Sequence, residues 1–98
     1  MDGATVSQAV ALWLGWKQTS WPQPDEQRVV GRLGADEAAA VMPLVLAWHR
    51  DFYESDPFSA GSLVEMGDQA SARFRALHPE ATDEAVHALA WAFTWDYK

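Results

Sequence analysis

Cysteine is absent from this 98-residue chain, and no basic residue precedes Lys17. Without cysteine the chain can form no disulfide, no thiol nucleophile and no cysteine-ligated metal site. A secretory signal peptide needs a positively charged start, which this sequence lacks. The longest nearly apolar runs, 41–48 and 88–95, fall far short of the ~20 residues that a membrane-spanning helix requires. We therefore expect a cytoplasmic protein without a membrane span.

Cations are also scarce, because 7 lysines and arginines face 14 aspartates and glutamates and give a net charge of −7. The excess of acid is concentrated in residues 50–68, where Arg50 is the single cation. The acidic residues of this segment are Asp51, Glu54, Asp56, Glu65 and Asp68. An acidic surface is repelled by phosphate, so direct binding to nucleic acid or to anionic membranes is disfavoured. A charge of this size is also ordinary for solubility alone.

Apolar residues, by contrast, are abundant and follow a helical period. They make up 49% of the chain and include six tryptophans, and the length suits one domain over 1–98. No strand-like alternation or internal repeat is present. The 3.6-residue period predicts an all-α, compact single-domain bundle of about five helices, with orthogonal packing as one arrangement. The predicted helices are 6–17, 25–33, 37–54, 63–77 and 83–97, and residues 1–4 are expected to be flexible.

Prolines and glycines set the boundaries in the first half of the chain. Pro22 and Pro24 exclude helix from the segment after the first helix. Gly34 is a natural stop for the second helix, and Asp36 is predicted to cap the third. Pro43 lies on the polar side of that third helix, where a proline can bend a helix convex toward solvent. We therefore expect a kink or a restart at Pro43 and not a break of the helix.

Capping residues set the boundaries in the second half. Residues 56–61 are predicted to form a loop, and Ser62 with Glu65 forms a capping box for the fourth helix. Gly67 falls inside the apolar stripe of that helix, which indicates close approach of a neighbouring helix. Thr82 is predicted to cap the fifth helix.

The apolar faces of the helices predict the core. The first helix presents a wide apolar arc, and its narrow remainder consists of Ser7, Gln8, Ala11 and Gly15. The arc of the third helix contains Val41, Leu44, Val45, Trp48, His49, Phe52 and Tyr53. The stripe of the fourth helix contains Leu63, Met66, Ala70, Phe74 and Leu77.

The fifth helix is apolar on two sides. A core stripe is formed by Val86, Leu89, Ala90, Phe93 and Tyr97. Trp91 and Trp95 project roughly 160–200° away from this stripe, at 100° per residue. A helix with two apolar sides is either central and enclosed by its neighbours, or half-exposed for a partner.

Catalytic motifs are missing from the sequence. It contains no glycine-rich phosphate loop, no nucleophile elbow and no dinucleotide fingerprint. Glu84 and His87 have the i, i+3 spacing used in carboxylate-bridged metal bundles, but such a site needs the pair twice. We therefore predict a protein that is not an enzyme and that carries no metal or cofactor.

The leading hypothesis is a non-catalytic acidic protein-interaction module, such as an inhibitor or immunity-type protein that binds a basic partner. The proposed contact residues are Trp91, Trp95, Asp51, Glu54, Asp56, Glu65 and Asp68, since aromatic anchors ringed by charge are typical of interfaces.

Three alternatives stay open. A small-molecule-binding domain would use a cavity lined by Trp13, Trp16, Trp48 and Trp91. A metal-assisted enzyme would be built around Glu84 and His87. A homodimer would bury Trp91 and Trp95 between two copies of the chain.

Overall fold

The computed structural model describes residues 2–55 and 61–97, which form five α-helices and no strand. In chain order the helices are α1 (Gly3–Leu14), α2 (Glu26–Leu33), α3 (Ala35–Tyr53), α4 (Leu63–Leu77) and α5 (Asp83–Tyr97). They pack into one bundle, so the predicted all-α single-domain fold is confirmed. The bounds of α4 and α5 coincide with the predicted ones. The loop predicted over 56–61 lies, apart from Gly61, outside the described residues.

Helix α1 is shifted toward the N-terminus relative to its predicted span. Asp2 caps it, with a carboxylate oxygen that accepts a hydrogen bond from the Thr5 N–H at 2.7 Å. The helix ends at Leu14 because Gly15 adopts a left-handed conformation with φ 81°. The Gly15 N–H donates to the Ala11 carbonyl at 3.1 Å. A glycine in this conformation ends a helix without steric cost, so the prediction that the helix continues to residue 17 is wrong.

The side chain of Arg28, in α2, caps the C-terminal end of α1. Its guanidinium donates to the carbonyls of Leu12 at 2.6 Å and Trp13 at 2.9 Å, and also to that of Gln23. The Asp25 N–H donates to the same Trp13 carbonyl at 2.9 Å. The last carbonyls of a helix have no partner within the helix. Arg28 therefore satisfies these groups and ties the loop after α1 to α2.

Gly34 joins α2 directly to α3. Its N–H donates to the Val30 carbonyl at 2.8 Å, and its backbone at φ 89° and ψ 159° redirects the chain at once. The predicted stop at Gly34 is confirmed. The predicted cap at Asp36 is wrong, because α3 already begins at Ala35 and Asp36 lies in its first turn. Pro43 is exposed within α3, and the helix continues through it.

The starts of α4 and α5 follow the predicted caps. Ser62 Oγ accepts a hydrogen bond from the Glu65 N–H at 3.2 Å, and the Glu65 carboxylate accepts one from the Gly61 N–H at 3.0 Å. Thr82 Oγ1 accepts a hydrogen bond from the Ala85 N–H at 3.3 Å. These side chains satisfy backbone donors that have no partner inside the helix.

Ser7 and Ala11 are buried, so the prediction that they lie outside the apolar arc of α1 is wrong. Helix α1 contacts α2, α3 and α5, and little of its circumference is left to solvent. Ser7 is 1% exposed, and its Oγ accepts a hydrogen bond from the Thr82 N–H at 3.0 Å. Helix α5, which contacts α1, contains the buried small residues Ala85, Ala88 and Ala92.

Three phenylalanines join α3, α4 and α5 in the core. Phe52 lies with its ring centroid 5.4 Å from that of Phe74 and 5.6 Å from that of Phe93, and all three are fully buried. Helix α5 contacts α1, α3 and α4, and α3 contacts all four of the other helices.

Four residues predicted to lie in the core are exposed, namely Leu44, Leu63, Leu77 and Tyr97. Leu44 lies about 90° from the centre of the buried arc of α3, at 100° per residue. Leu63, Leu77 and Tyr97 are the first or last residues of their helices. Helical periodicity gives the direction of a side chain but not how far a neighbouring helix extends along the axis.

Candidate functional site

A groove runs between α4 and α5 beside the point where the two helices approach most tightly. A Cβ atom built on Gly67 would lie 3.1 Å from Thr94 Cγ2, so the predicted close approach at Gly67 is confirmed. Next to this contact are two adjoining cavities of about 340 and 360 Å³ that share Leu63, Val64, Trp91 and Thr94. We call them together the α4–α5 groove. Its other lining residues are Trp16, Gly67, Asp68, Ser71, His87, Ala90 and Trp95.

The walls of the α4–α5 groove are apolar and exposed. Val64 is 73% exposed, Leu63 42% and Trp95 39%. Isolated apolar side chains are common on protein surfaces, but neighbouring ones around a concave feature mark an interaction site. The groove therefore combines shape with exposed apolar surface.

Trp91 forms part of the groove wall and is held by Trp16. Their ring centroids lie 5.3 Å apart in an edge arrangement with an interplanar angle of 60°. Trp91 is half-buried against the core, whereas Trp95, one turn later, is exposed. Helix α5 thus packs against three neighbouring helices and also presents an indole at the surface.

Asp68 supplies a negative charge to the groove. It is exposed, and it forms no hydrogen bond or ion pair with any residue that the structure describes. Glu65 lies one turn earlier on α4, with its carboxylate at the Gly61 N–H. Of the proposed contact residues, Trp91, Trp95 and Asp68 line the same groove.

Asp51 and Glu54, which we also proposed as contact residues, are engaged elsewhere. Asp51 Oδ2 lies 2.8 Å from His78 Nε2, and the Asp51 carbonyl accepts a hydrogen bond from Arg73 at 2.6 Å. Glu54 lies 3.5 Å from the Arg73 guanidinium. Neither residue lines the α4–α5 groove, so Asp51 and Glu54 do not share that surface with Asp68 and the tryptophans. Asp56 lies outside the described residues.

His49 belongs to a polar and aromatic cluster between α1, α3 and α5. Its ring centroid lies 5.1 Å from that of Trp13 and 4.3 Å from that of Tyr53, whose hydroxyl donates to Asp96 at 2.6 Å. Burial lowers the pKa of His49, and the nearby Asp96 carboxylate partly opposes this effect. Burial and the hydrogen bond to Asp96 raise the pKa of Tyr53. The cluster therefore favours a neutral histidine that packs between helices.

The four tryptophans of the alternative cavity do not meet in one place. Trp48 is buried with its ring centroid 5.1 Å from that of His78, and Trp13 packs against His49. Trp16 and Trp91 contact each other at the groove. Among residues 2–55 and 61–97, no three potential metal ligands lie close enough to hold an ion.

Leu63, Val64 and Thr94 are groove residues that the sequence analysis did not identify as a site. A signal was present, however. Leu63 and Val64 are adjacent on a helix, so their side chains point about 100° apart, and Val64 lies outside the apolar stripe predicted for α4.

Comparison of the chain with family models, with curated proteins and with solved structures finds no match. None of the helices in the described part of the chain is long and apolar enough to cross a membrane. Function is therefore inferred from the geometry of the α4–α5 groove.

Proposed function

We propose that this protein is a non-catalytic interaction module whose α4–α5 groove binds a basic, amphipathic segment of a partner protein. The supporting observation is the set of exposed apolar side chains, Leu63, Val64 and Trp95, around a groove that also contains the unpaired Asp68. An amphipathic helix laid into an apolar groove is a common mode of peptide recognition. Tryptophan is among the residues that contribute most to such interfaces.

Charge favours a basic partner over a second copy of the chain. Each copy carries a net charge of −7, so two copies repel each other, whereas a cationic segment is attracted. Lysine or arginine beside the apolar face of the partner would pair with Asp68. Such pairs increase the rate and the selectivity of association more than its affinity.

The size of the groove indicates a reversible complex. The exposed fractions of Leu63, Val64 and Trp95 together amount to about one and a half side chains, and burying them contributes about 2–4.5 kcal/mol. Loss of translational and rotational freedom offsets several kcal/mol of this gain. The groove alone therefore supports a weak, salt-sensitive complex. An inhibitor or immunity-type role would require additional contact area.

The proposal can be tested with a model partner. The probe is an amphipathic leucine–lysine peptide of about four helical turns, and its control has the same leucines with glutamate in place of lysine. Binding to the full chain is measured by calorimetry and by amide chemical shifts at low and high salt. We expect the lysine peptide to bind, to shift the amides around Val64 and Trp95, and to weaken as salt increases.

Matched variants test whether binding depends on the α4–α5 groove or only on the net negative charge of the protein. Val64→Asp and Trp95→Ala should weaken binding at least about tenfold. Leu46 and Trp21 are each 51% exposed and lie outside the groove. The control variants Leu46→Asp and Trp21→Ala therefore make comparable changes elsewhere and should leave binding unchanged. Equal losses in all four variants would refute the groove as the binding site. Concentration-dependent sedimentation that Val64→Asp abolishes would instead identify a second copy as the occupant.

A further inference from the structure

A second concave site lies at the C-terminal end of α1, where cations collect in an otherwise acidic protein. This cavity has a volume of about 250 Å³. Its polar lining residues are Gln8, Lys17, Gln18, Arg32 and Glu84, and Trp16 with Leu12 supplies apolar surface. We call it the α1–α2 pocket. Trp16 separates it from the α4–α5 groove, since this side chain lines both.

Lys17 and Arg32 have no carboxylate partner in the described part of the chain. Arg28, Arg50, Arg73 and Arg75 each lie within 4.0 Å of an aspartate or glutamate. No such pair or hydrogen bond involves Lys17 or Arg32 among residues 2–55 and 61–97. Acidic residues outnumber lysines and arginines 14 to 7, so two unpaired cations in one pocket are notable.

The backbone holds Lys17 in place beside the pocket. Lys17 has φ 64°, a left-handed conformation that is uncommon for residues other than glycine. The turn around it is fixed by Gly15, whose carbonyl accepts hydrogen bonds from the N–H groups of Gln18 at 2.9 Å and Thr19 at 3.0 Å. Its ammonium lies 6.0 Å from the Trp16 ring centroid. Unfavourable backbone conformations of this kind concentrate at binding sites.

We propose that the α1–α2 pocket binds a small organic anion, a carboxylate or monophosphate on a molecule that contains one planar ring system. Lys17 and Arg32 bind the anionic group, because charge-assisted hydrogen bonds to oxyanions are short and strong. Trp16 and Leu12 pack against the ring. The amides of Gln8 and Gln18 hydrogen-bond to its polar substituents. A volume below the roughly 300 Å³ of drug-sized sites selects a single small ring system. This site does not require a partner in the α4–α5 groove, although Trp16 lines both.

The test is a titration of the full chain followed by amide chemical shifts and tryptophan fluorescence. The probes are benzoate, adenosine 5′-monophosphate and inorganic phosphate, with uncharged adenosine as the control. We expect benzoate or the nucleotide to bind with a dissociation constant on the order of 1 mM or tighter. The shifts should centre on Trp16, Lys17 and Arg32, and adenosine should produce none. The stronger of the two ligands distinguishes a carboxylate site from a phosphate site.

Charge-neutralising variants provide the control. Lys17→Gln with Arg32→Gln should weaken binding at least about tenfold, whereas Arg50→Gln with Arg75→Gln removes the same charge elsewhere and should leave it unchanged. Both pairs change exposed side chains, so circular dichroism should report the same fold for each. An absence of saturable shifts with every probe would overturn the proposal. Equal weakening by the two double variants would overturn it as well.

Discussion

Replacing Gly67 by alanine tests the contact that forms the α4–α5 groove. Two glycines, Gly67 in α4 and Gly31 in α2, occupy helix interiors. A Cβ on Gly31 would have no atom within 4 Å, whereas a Cβ on Gly67 would lie 3.1 Å from Thr94 Cγ2. The same substitution should therefore have opposite effects on stability at the two positions.

The expected magnitudes follow from helix propensity and packing. Glycine to alanine in a helix interior stabilises by about 0.5–1 kcal/mol, and Gly31→Ala should show this full gain. At Gly67 the carbon–carbon contact is tighter than the usual 3.5–4.0 Å. Thr94 cannot move easily, because its hydroxyl donates to the Ala90 carbonyl at 2.8 Å. Overpacking costs about 1–3 kcal/mol, so Gly67→Ala should destabilise by up to about 2 kcal/mol.

The assay is urea unfolding followed by tryptophan fluorescence, with a double-mutant cycle at Gly67 and Thr94. Thr94→Ser removes the methyl group that obstructs the new Cβ and keeps the hydroxyl. In that background Gly67→Ala should become stabilising, which gives a coupling free energy of about 1–3 kcal/mol. If Gly67→Ala stabilises the protein equally with threonine or serine at position 94, the two helices do not meet there and the groove geometry is refuted.

Three further outcomes are expected from the same unfolding assay. Arg28→Met should destabilise the protein by about 2–4 kcal/mol, because three carbonyls lose a charged donor. A loss of stability below about 0.5 kcal/mol would contradict the role of Arg28 as a cap of α1. Phe74→Ala should cost about 3–5 kcal/mol, because the side chain is fully buried; a smaller loss would indicate a loosely packed core. Burial lowers the pKa of His49 below 6.5 in the folded state, so protonation favours unfolding and stability should fall as the pH decreases from about 7 to 5. His49→Gln should reduce this pH dependence, and an unchanged pH profile would show that His49 is not responsible.

Local chemistry was sufficient to predict much of the helical framework. The capping box at Ser62 and Glu65 and the cap at Thr82 act within a few residues, so they gave the starts of α4 and α5 correctly. Gly67 in an apolar stripe correctly indicated a close neighbour. The end of α1 was missed because Gly15 was assigned to the helix interior, although its left-handed backbone ends the helix.

The candidate site depended on contacts that no local pattern contains. Trp91 and Trp95 were identified from the period of α5, but which of them is exposed depends on Trp16, which follows α1. Leu63 was assigned to the core because its angular position on α4 matches the apolar stripe. It is, however, the first residue of the helix and is 42% exposed. Asp51 and Glu54 were predicted to be contact residues like Asp68. Only the packing of α3 against α4 brings Asp51 to His78 and Glu54 to Arg73.

The amino-acid sequence alone establishes the helical class, the approximate spans of the helices and the acidic character, because periodicity, capping and charge are properties of neighbouring residues. Only the tertiary structure establishes the α4–α5 groove and the α1–α2 pocket, because each is assembled from residues that are far apart in the sequence. Their formation depends on the relative placement of helices along and around one another. That placement results from side-chain packing over the whole bundle, and no single segment encodes it.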